Sequence, residues 1–357
     1  MIKYIELKKL YLKLIFILIM VLFIKRNKKK IIGVIGLRHE VNIGNNLIKY
    51  AIYKKLCQLG FEPYIIGTHL KNYNISFLKK NTNCRIINNS FSEIKEKDYD
   101  ILMVNSDQTW RKFDEHFYDY GFLKFAKNWK IPKFIYGASL GYDEWALRKE
   151  DEIIAKDLLK NFSGISIREK GSIKLIEKHL GFRPIFVLDP TLLIDKKEYL
   201  RLIYFYKRKN KFPENFILTY ILENETNIIK YIEIASQKLK YKIVNVNMIE
   251  QNSIEKFIYG IYKCKAVITN SYHGTIFSII FKKPFVSFIY KGSPKERLIS
   301  LKNTFKIGNR IFDYNKMPNV HLLTRPLNIN YTLINLLKLH SINYLKKNLG
   351  IKSFNLN

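Results

Sequence analysis

His273 lies in the run Thr269-Asn270-Ser271-Tyr272-His273-Gly274-Thr275, between the apolar residues 266–268 and the apolar segment 276–281. This spacing reads as a buried strand entering a helix, with Ser271 or Tyr272 at the helix start and His273 in the first turn. A helix N-terminus carries unpaired N–H groups and partial positive charge, which suits an anion. An imidazole there can give or take a proton near neutral pH. Lys282-Lys283-Pro284 and a second apolar run, 285–289, complete a β-α-β unit. From spacing alone a plainer reading stays open, in which His273 only caps a core helix.

The other residues fit for chemistry recur at one kind of place. Apolar runs at 31–36, 64–66, 101–104, 134–136, 164–167 and 185–188 read as strands, with helical stretches such as 145–159 and 170–180 between them. Such alternation predicts a parallel sheet covered on both faces, where ligands bind beyond the carboxyl ends of the strands. Asn105, Ser106, Asp107, Gln108, Ser139, Arg168, Glu169 and Asp189 all fall at those ends. Arg168 offers the bidentate fork that a carboxylate or phosphate prefers, or else pairs with Glu169. Asp107 and Asp189 read first as turn-fixing residues and stay on the candidate list. Gly44 and Asn45 precede a helix expected over 47–59 and closed by Gly60. Their turn lacks the G-x-G-x-x-G dinucleotide fingerprint. Gly44 either admits a phosphate or sugar hydroxyl close to the backbone or merely enters the helix.

Four segments in order carry a family likeness: "NIGNNLIKYAIYKKLCQLG" (42–60), "DYDILMVNSDQTW" with "KFIYGASLG" (98–110, 133–141), "SGISIREKGS…VLDPTLLI" (163–194) and "TNSYHGTIFSIIFKKPFVSF" (269–288). Over roughly residues 31–311 the chain resembles the polysaccharide pyruvyl transferase family. The resemblance implies two Rossmann-like, doubly wound α/β domains facing a cleft, as in GT-B glycosyltransferases. It implies transfer of the enolpyruvyl part of phosphoenolpyruvate to sugar hydroxyls as a pyruvate ketal, with no cofactor; the spacing of the seven histidines separately argues against a metal site. His273 then matches the family's active-site histidine and Arg168 its donor-binding arginine. The N–H groups at Gly274 and Thr275 would face the phosphate, with Ser271 and Tyr272 alongside. The family often places Arg-Leu before the histidine, where this chain has Ser271-Tyr272. Arg297, Arg310 and Lys291 are the cations expected to make up that charge. Asn105-Ser106-Asp107 replaces a more usual Gly-Ser-Asp.

The chain of 357 residues has 62 basic and 30 acidic residues, a net charge of +32. That balance favours anionic partners, but the basic residues are scattered, which argues against nucleic acid. Cys57, Cys84 and Cys264 are too far apart for a zinc site or a disulfide framework, and a reducing, cytoplasmic setting fits them. Residues 1–30 stand apart as an apolar and basic helix. Their apolar run, 14–24, would rise about 16 Å as a helix, short of a bilayer core of about 30 Å. It reads as an anchor on the anionic inner face of the cytoplasmic membrane, or as an extra helix packed on the body. The expected organisation is a first α/β domain over 31–206, a basic linker at 207–215, a second α/β domain over 216–327 and a closing helix over 328–357.

Two other functions stay open. A GT-B nucleotide-sugar glycosyltransferase would normally hold a ribose through a carboxylate after the histidine, yet no acidic residue follows His273 until Glu296. A non-catalytic binder of acidic polymer at the membrane surface would have no need of His273 and Arg168 in one cleft. The expected partners are phosphoenolpyruvate and a saccharide acceptor, free or lipid-linked.

Overall fold

The computed structural model describes residues 29–36, 42–67, 72–112, 116–246 and 253–351. Two parallel sheets organise them. The first has seven strands in the order β3-β2-β1-β4-β5-β6-β7, namely β1 (Ile31–Ile35), β2 (Glu62–Ile66), β3 (Arg85–Ile87), β4 (Ile101–Val104), β5 (Lys133–Ala138), β6 (Gly164–Ile167) and β7 (Ile185–Phe186). The second has five in the order β12-β11-β10-β8-β9, namely β8 (Phe216–Tyr220), β9 (Lys242–Asn245), β10 (Ala266–Thr269), β11 (Phe285–Ile289) and β12 (Ile311–Asp313). All named pairings are parallel, and β4, β8, β10 and β11 are buried along their whole length. Burial on both faces explains why these strands read as continuous apolar runs rather than alternating ones.

Most elements match the expected order, with shifts at their ends. The helix after β1 runs Ile43–Gln58 and is capped by Asn42, whose side chain accepts from Gly44 N. It starts four residues ahead of the expected position because Asn42 caps it there, and its buried face already includes Ile43 and Gly44. The basic stretch after residue 206 is partly helical, at Tyr206–Lys209. The last helix, Tyr331–Asn348, returns to the first sheet: Tyr344 Oη donates to Ile135 O at 2.7 Å and Ser341 Oγ accepts from Leu188 N at 2.9 Å. The apolar and basic segment 1–30 lies outside the described residues except for Lys29 and Lys30. Among the described residues no helix is long and apolar enough to cross a membrane.

The two halves also meet through the helix Glu296–Phe305. Glu296 Oε1 accepts from Gly171 N at 2.9 Å, Ser300 Oγ accepts from Lys170 N at 3.0 Å, and Glu296 N donates to Asp143 Oδ1 at 2.8 Å. These bonds fasten the second half to the loops that follow β5 and β6.

Candidate active site

Strand ends of the first sheet supply most of the polar cluster. Ser106 and Asp107 follow β4, Ser139 follows β5, Arg168 and Glu169 follow β6, and Asp189 follows β7. From the second sheet, β10 leads into the helix Tyr272–Ile280, with Ser271 as N-cap and His273 in its first turn. Parallel strands that end together place residues far apart in sequence side by side.

Arg168 is the hub. Its guanidinium is fully buried and donates from Nη1 to Asp189 Oδ2 at 2.7 Å and from Nη2 to Asp107 Oδ1 at 3.1 Å. Its Nε lies 3.5 Å from Glu169 Oε1, and it stands over the Tyr272 ring at 4.9 Å. Asp189 in turn accepts from Thr191 N and Oγ1 through Oδ1, while Oδ2 lies 3.7 Å from His273 Nε2. That last separation is an electrostatic contact, longer than a hydrogen bond. Burial works to raise the Asp189 pKa, but His273 and Arg168 outweigh it and hold the carboxyl well below the usual carboxylate range.

Asp107 holds φ at +142°, a conformation that costs a non-glycine residue backbone strain. Its Oδ1 accepts from Gln108 N and from Arg168, so an ion pair and a local turn hold the strained residue in place. Ser106 Oγ donates to Gly137 O at 2.7 Å. Asp107 and Asp189 are therefore the counter-charges of Arg168, which is more than the turn-fixing role their neighbours suggest.

Several buried polar atoms around this hub have no hydrogen-bond partner: Ser139 Oγ, both Glu169 carboxylate oxygens, His273 Nε2 and Arg297 Nε. Arg297 stands over the same Tyr272 ring as Arg168, at 5.6 Å. Burial raises the Glu169 pKa, with Arg168 pulling the other way, so this carboxyl resists ionisation. Lys49, on the helix Ile43–Gln58, is a further buried cation near Asp107, its pKa pulled down to about 8 by burial. No sequence signal marks Lys49, because it occupies a helix face that otherwise reads as core. Glu169 was visible in the sequence as a strand-end residue and as a salt-bridge partner for Arg168, but its burial was not.

Other candidates fall elsewhere. Arg310 does not join the cluster: its guanidinium donates to the backbone carbonyls of Phe285, Leu322, Arg325 and Pro326 and so ties down a loop. The N–H groups of Gly274 and Thr275, expected to face a phosphate, are taken by Ser271 Oγ and Ser271 O. The Thr275 hydroxyl donates to Ser271 O and meets Ser287 Oγ at 2.7 Å. Gly44 has a tighter task than admitting a ligand, since a Cβ on it would fall 2.0 Å from His273 Nδ1. Asn45 is half-buried in the first turn of that helix. Lys291 is exposed. Among the described residues no group of three or more His, Cys, Asp or Glu side chains is placed to hold a metal ion.

Two parallel sheets joined through a polar cluster at their strand ends define a protein of two Rossmann-like domains in the GT-B arrangement. Solved structures share that architecture. The UDP-GlcNAc 2-epimerase from Neisseria meningitidis, bound to UDP-GlcNAc, aligns with a TM-score of 0.52 at 12% identity, over 89% of this chain and 100% of that one. The UDP-GlcNAc 2-epimerase from Methanocaldococcus jannaschii gives 0.51 at 14% identity, over 82% and 90%. At such identities the likeness is one of fold. A search of curated proteins finds no matching sequence. The family model for polysaccharide pyruvyl transferase matches residues 42–292, most of the chain, and the protein belongs to that family. It is a polysaccharide-modifying transferase, and the family implies a saccharide acceptor.

Proposed function

We propose that the enzyme takes phosphoenolpyruvate as donor and builds a pyruvate ketal across two hydroxyls of a cell-surface polysaccharide or its lipid-linked precursor. The observation that carries this reading is the pair Arg168 and Arg297 on one Tyr272 ring, beside His273 Nε2 and Arg297 Nε, two buried nitrogens without partners. Arg168 is already matched by carboxylates, so Arg297 is the cation with charge to spare for the donor's carboxylate or phosphate. His273 gives a proton to the donor's methylene carbon, which makes C2 electrophilic, and one sugar hydroxyl adds there. The second hydroxyl then displaces inorganic phosphate, and the ketal is complete. Asp189 Oδ2, which accepts from Arg168 Nη1 at 2.7 Å, lies 3.7 Å from His273 Nε2. The Glu296 carboxylate, which a nucleotide-sugar enzyme would need for ribose, is bonded to Gly171 N instead. Residues 1–30 hold the enzyme at the anionic inner face of the cytoplasmic membrane.

Incubation with phosphoenolpyruvate, then with UDP- and GDP-sugars, tests the donor. Phosphoenolpyruvate should raise the melting temperature, and sugar acceptors should release phosphate from it with uptake of labelled pyruvate. A rise with nucleotide sugars alone would sink the reading and favour glycosyl transfer.

A further inference from the structure

The connection between the two sheets carries a surface feature that the transfer chemistry does not use. The helix Lys196–Leu202 buries Tyr199 and Leu202 against the body, and Tyr206 packs on Tyr259 at 5.9 Å. Between them the chain turns outward, and Phe205 is 71% and Tyr204 46% exposed. Two adjacent aromatic rings on a turn tip expose apolar surface to water, and apolar surface rimmed by polar residues is the form that interaction sites take. The rings meet edge to face at 5.1 Å. Arg208 and Lys207 stand over Tyr204 at 4.6 and 5.4 Å, and Arg208 Nη2 donates to Tyr204 Oη at 2.7 Å. Beside the tip a shallow hollow is lined by Lys197, Leu200, Arg201, Tyr204 and Phe205. Lys207, Arg208, Lys209 and Lys211 are all exposed within a few residues. Only Asp195 and Glu198 oppose them in this stretch, and Glu198 is bonded to Arg201.

We infer that this tip is a membrane-docking surface, with Phe205 entering the acyl boundary of an anionic bilayer and the surrounding cations meeting lipid phosphates. Charge alone does not carry the argument, since the whole chain is basic; the protruding aromatic pair set inside that charge does. Amphipathic rings at headgroup level with flanking Lys and Arg are the chemistry of an interfacial contact. Tyr204 is engaged by Arg208, Lys207 and Phe205, so stacking of a nucleobase fits this surface less well. The tip is far in sequence from residues 1–30, and the inference stands whichever donor the enzyme uses. Its position on the connection between the two sheets would set the orientation of the halves over the lipid surface.

The test is Phe205→Trp in the full chain, mixed with phosphatidylglycerol vesicles whose acyl chains are brominated. Ile153→Trp serves as the control, because Ile153 is 69% exposed on another helix. The expected result is a blue shift and a loss of emission beyond the wild-type background for Phe205→Trp, absent with phosphatidylcholine and absent for Ile153→Trp. Unchanged emission of Phe205→Trp overturns the inference, whether or not the protein floats with the vesicles. So does equal quenching at position 153, or quenching that needs no anionic lipid. Light scattering that shows a dimer, lost in Phe205→Ser, would give the tip to a second copy of the chain and overturn it too.

Discussion

Gly44 packs against the imidazole of His273 so closely that any side chain at position 44 would displace the ring: a Cβ there would meet Nδ1 at 2.0 Å. One residue belongs to the first helix of the first half and the other to the helix after β10. The contact therefore sets the ring orientation across the two halves. Gly44→Ala should cost about 1–3 kcal/mol of stability through overpacking and lower transfer at least tenfold. A melting curve and a phosphate-release assay check both, and wild-type activity would show that the ring orientation is immaterial.

His273→Ala should lower transfer by about 10²–10⁴-fold, the usual worth of a positioned proton carrier. The helix should persist, because its cap belongs to Ser271, whose Oγ accepts from Gly274 N. Circular dichroism and phosphoenolpyruvate turnover separate the two effects. Activity within a few-fold of wild type would remove His273 from proton transfer.

Arg168→Lys keeps the charge and loses the fork that reaches Asp107 and Asp189 together. Both carboxylates are buried, so the variant should lose about 3–5 kcal/mol, the usual cost of breaking such a pair. Donor affinity should fall with it. Full stability under denaturant titration would mean that a lysine ammonium can bridge both acids.

Glu169 gives a pH signature of defined sign. Its folded pKa is raised by burial, so the folded state favours the protonated carboxyl. Wild-type stability from this group is fully present below the unfolded value of about 4.3 and is lost as pH rises through the folded value. Glu169→Gln escapes that loss. Its melting temperature relative to wild type should therefore climb as pH is raised from about 4 toward neutrality. A difference that shrinks over this range would contradict a raised pKa.

Asp189 has the opposite sign, and Asp189→Asn should show it. The folded pKa is depressed, so the carboxylate contributes above its unfolded value of about 3.9 and loses its contribution as pH falls through the folded one. The stability gap between wild type and Asp189→Asn should be widest near neutrality and close in strong acid. A gap that persists at pH near 1 would assign the effect to shape rather than charge.

The sheets were legible because buried parallel strands are unbroken apolar runs, as at 101–104 and 266–268, and their polar ends point to one edge. Arg168 and His273 stood out by type and place. Asp189 stood among the strand-end candidates, but its place between the two did not show, because the contact joins two sheets and no spacing encodes it. The reach of Gly44 to His273 was hidden for the same reason, and Lys49 was hidden inside an apolar helix face. Arg310 misled because an arginine near a candidate site looks free until the carbonyls of 322–326 are seen around it. The short β3 has only three residues and partial burial, too little pattern to register.

The bonds from Glu296 and Ser300 to the amides of Gly171 and Lys170 lie immediately after Arg168 and Glu169 in the chain. Parting the halves would pull on the same few backbone links that hold the buried charges in register. Passage of a long saccharide and alignment of the charged groups would thus be geared together, as in a turnstile. Motions of this size run in microseconds to milliseconds and often limit turnover. On this view the pace of the enzyme belongs to the helix that carries Arg297, so the element that holds the donor is also the one that fastens the halves.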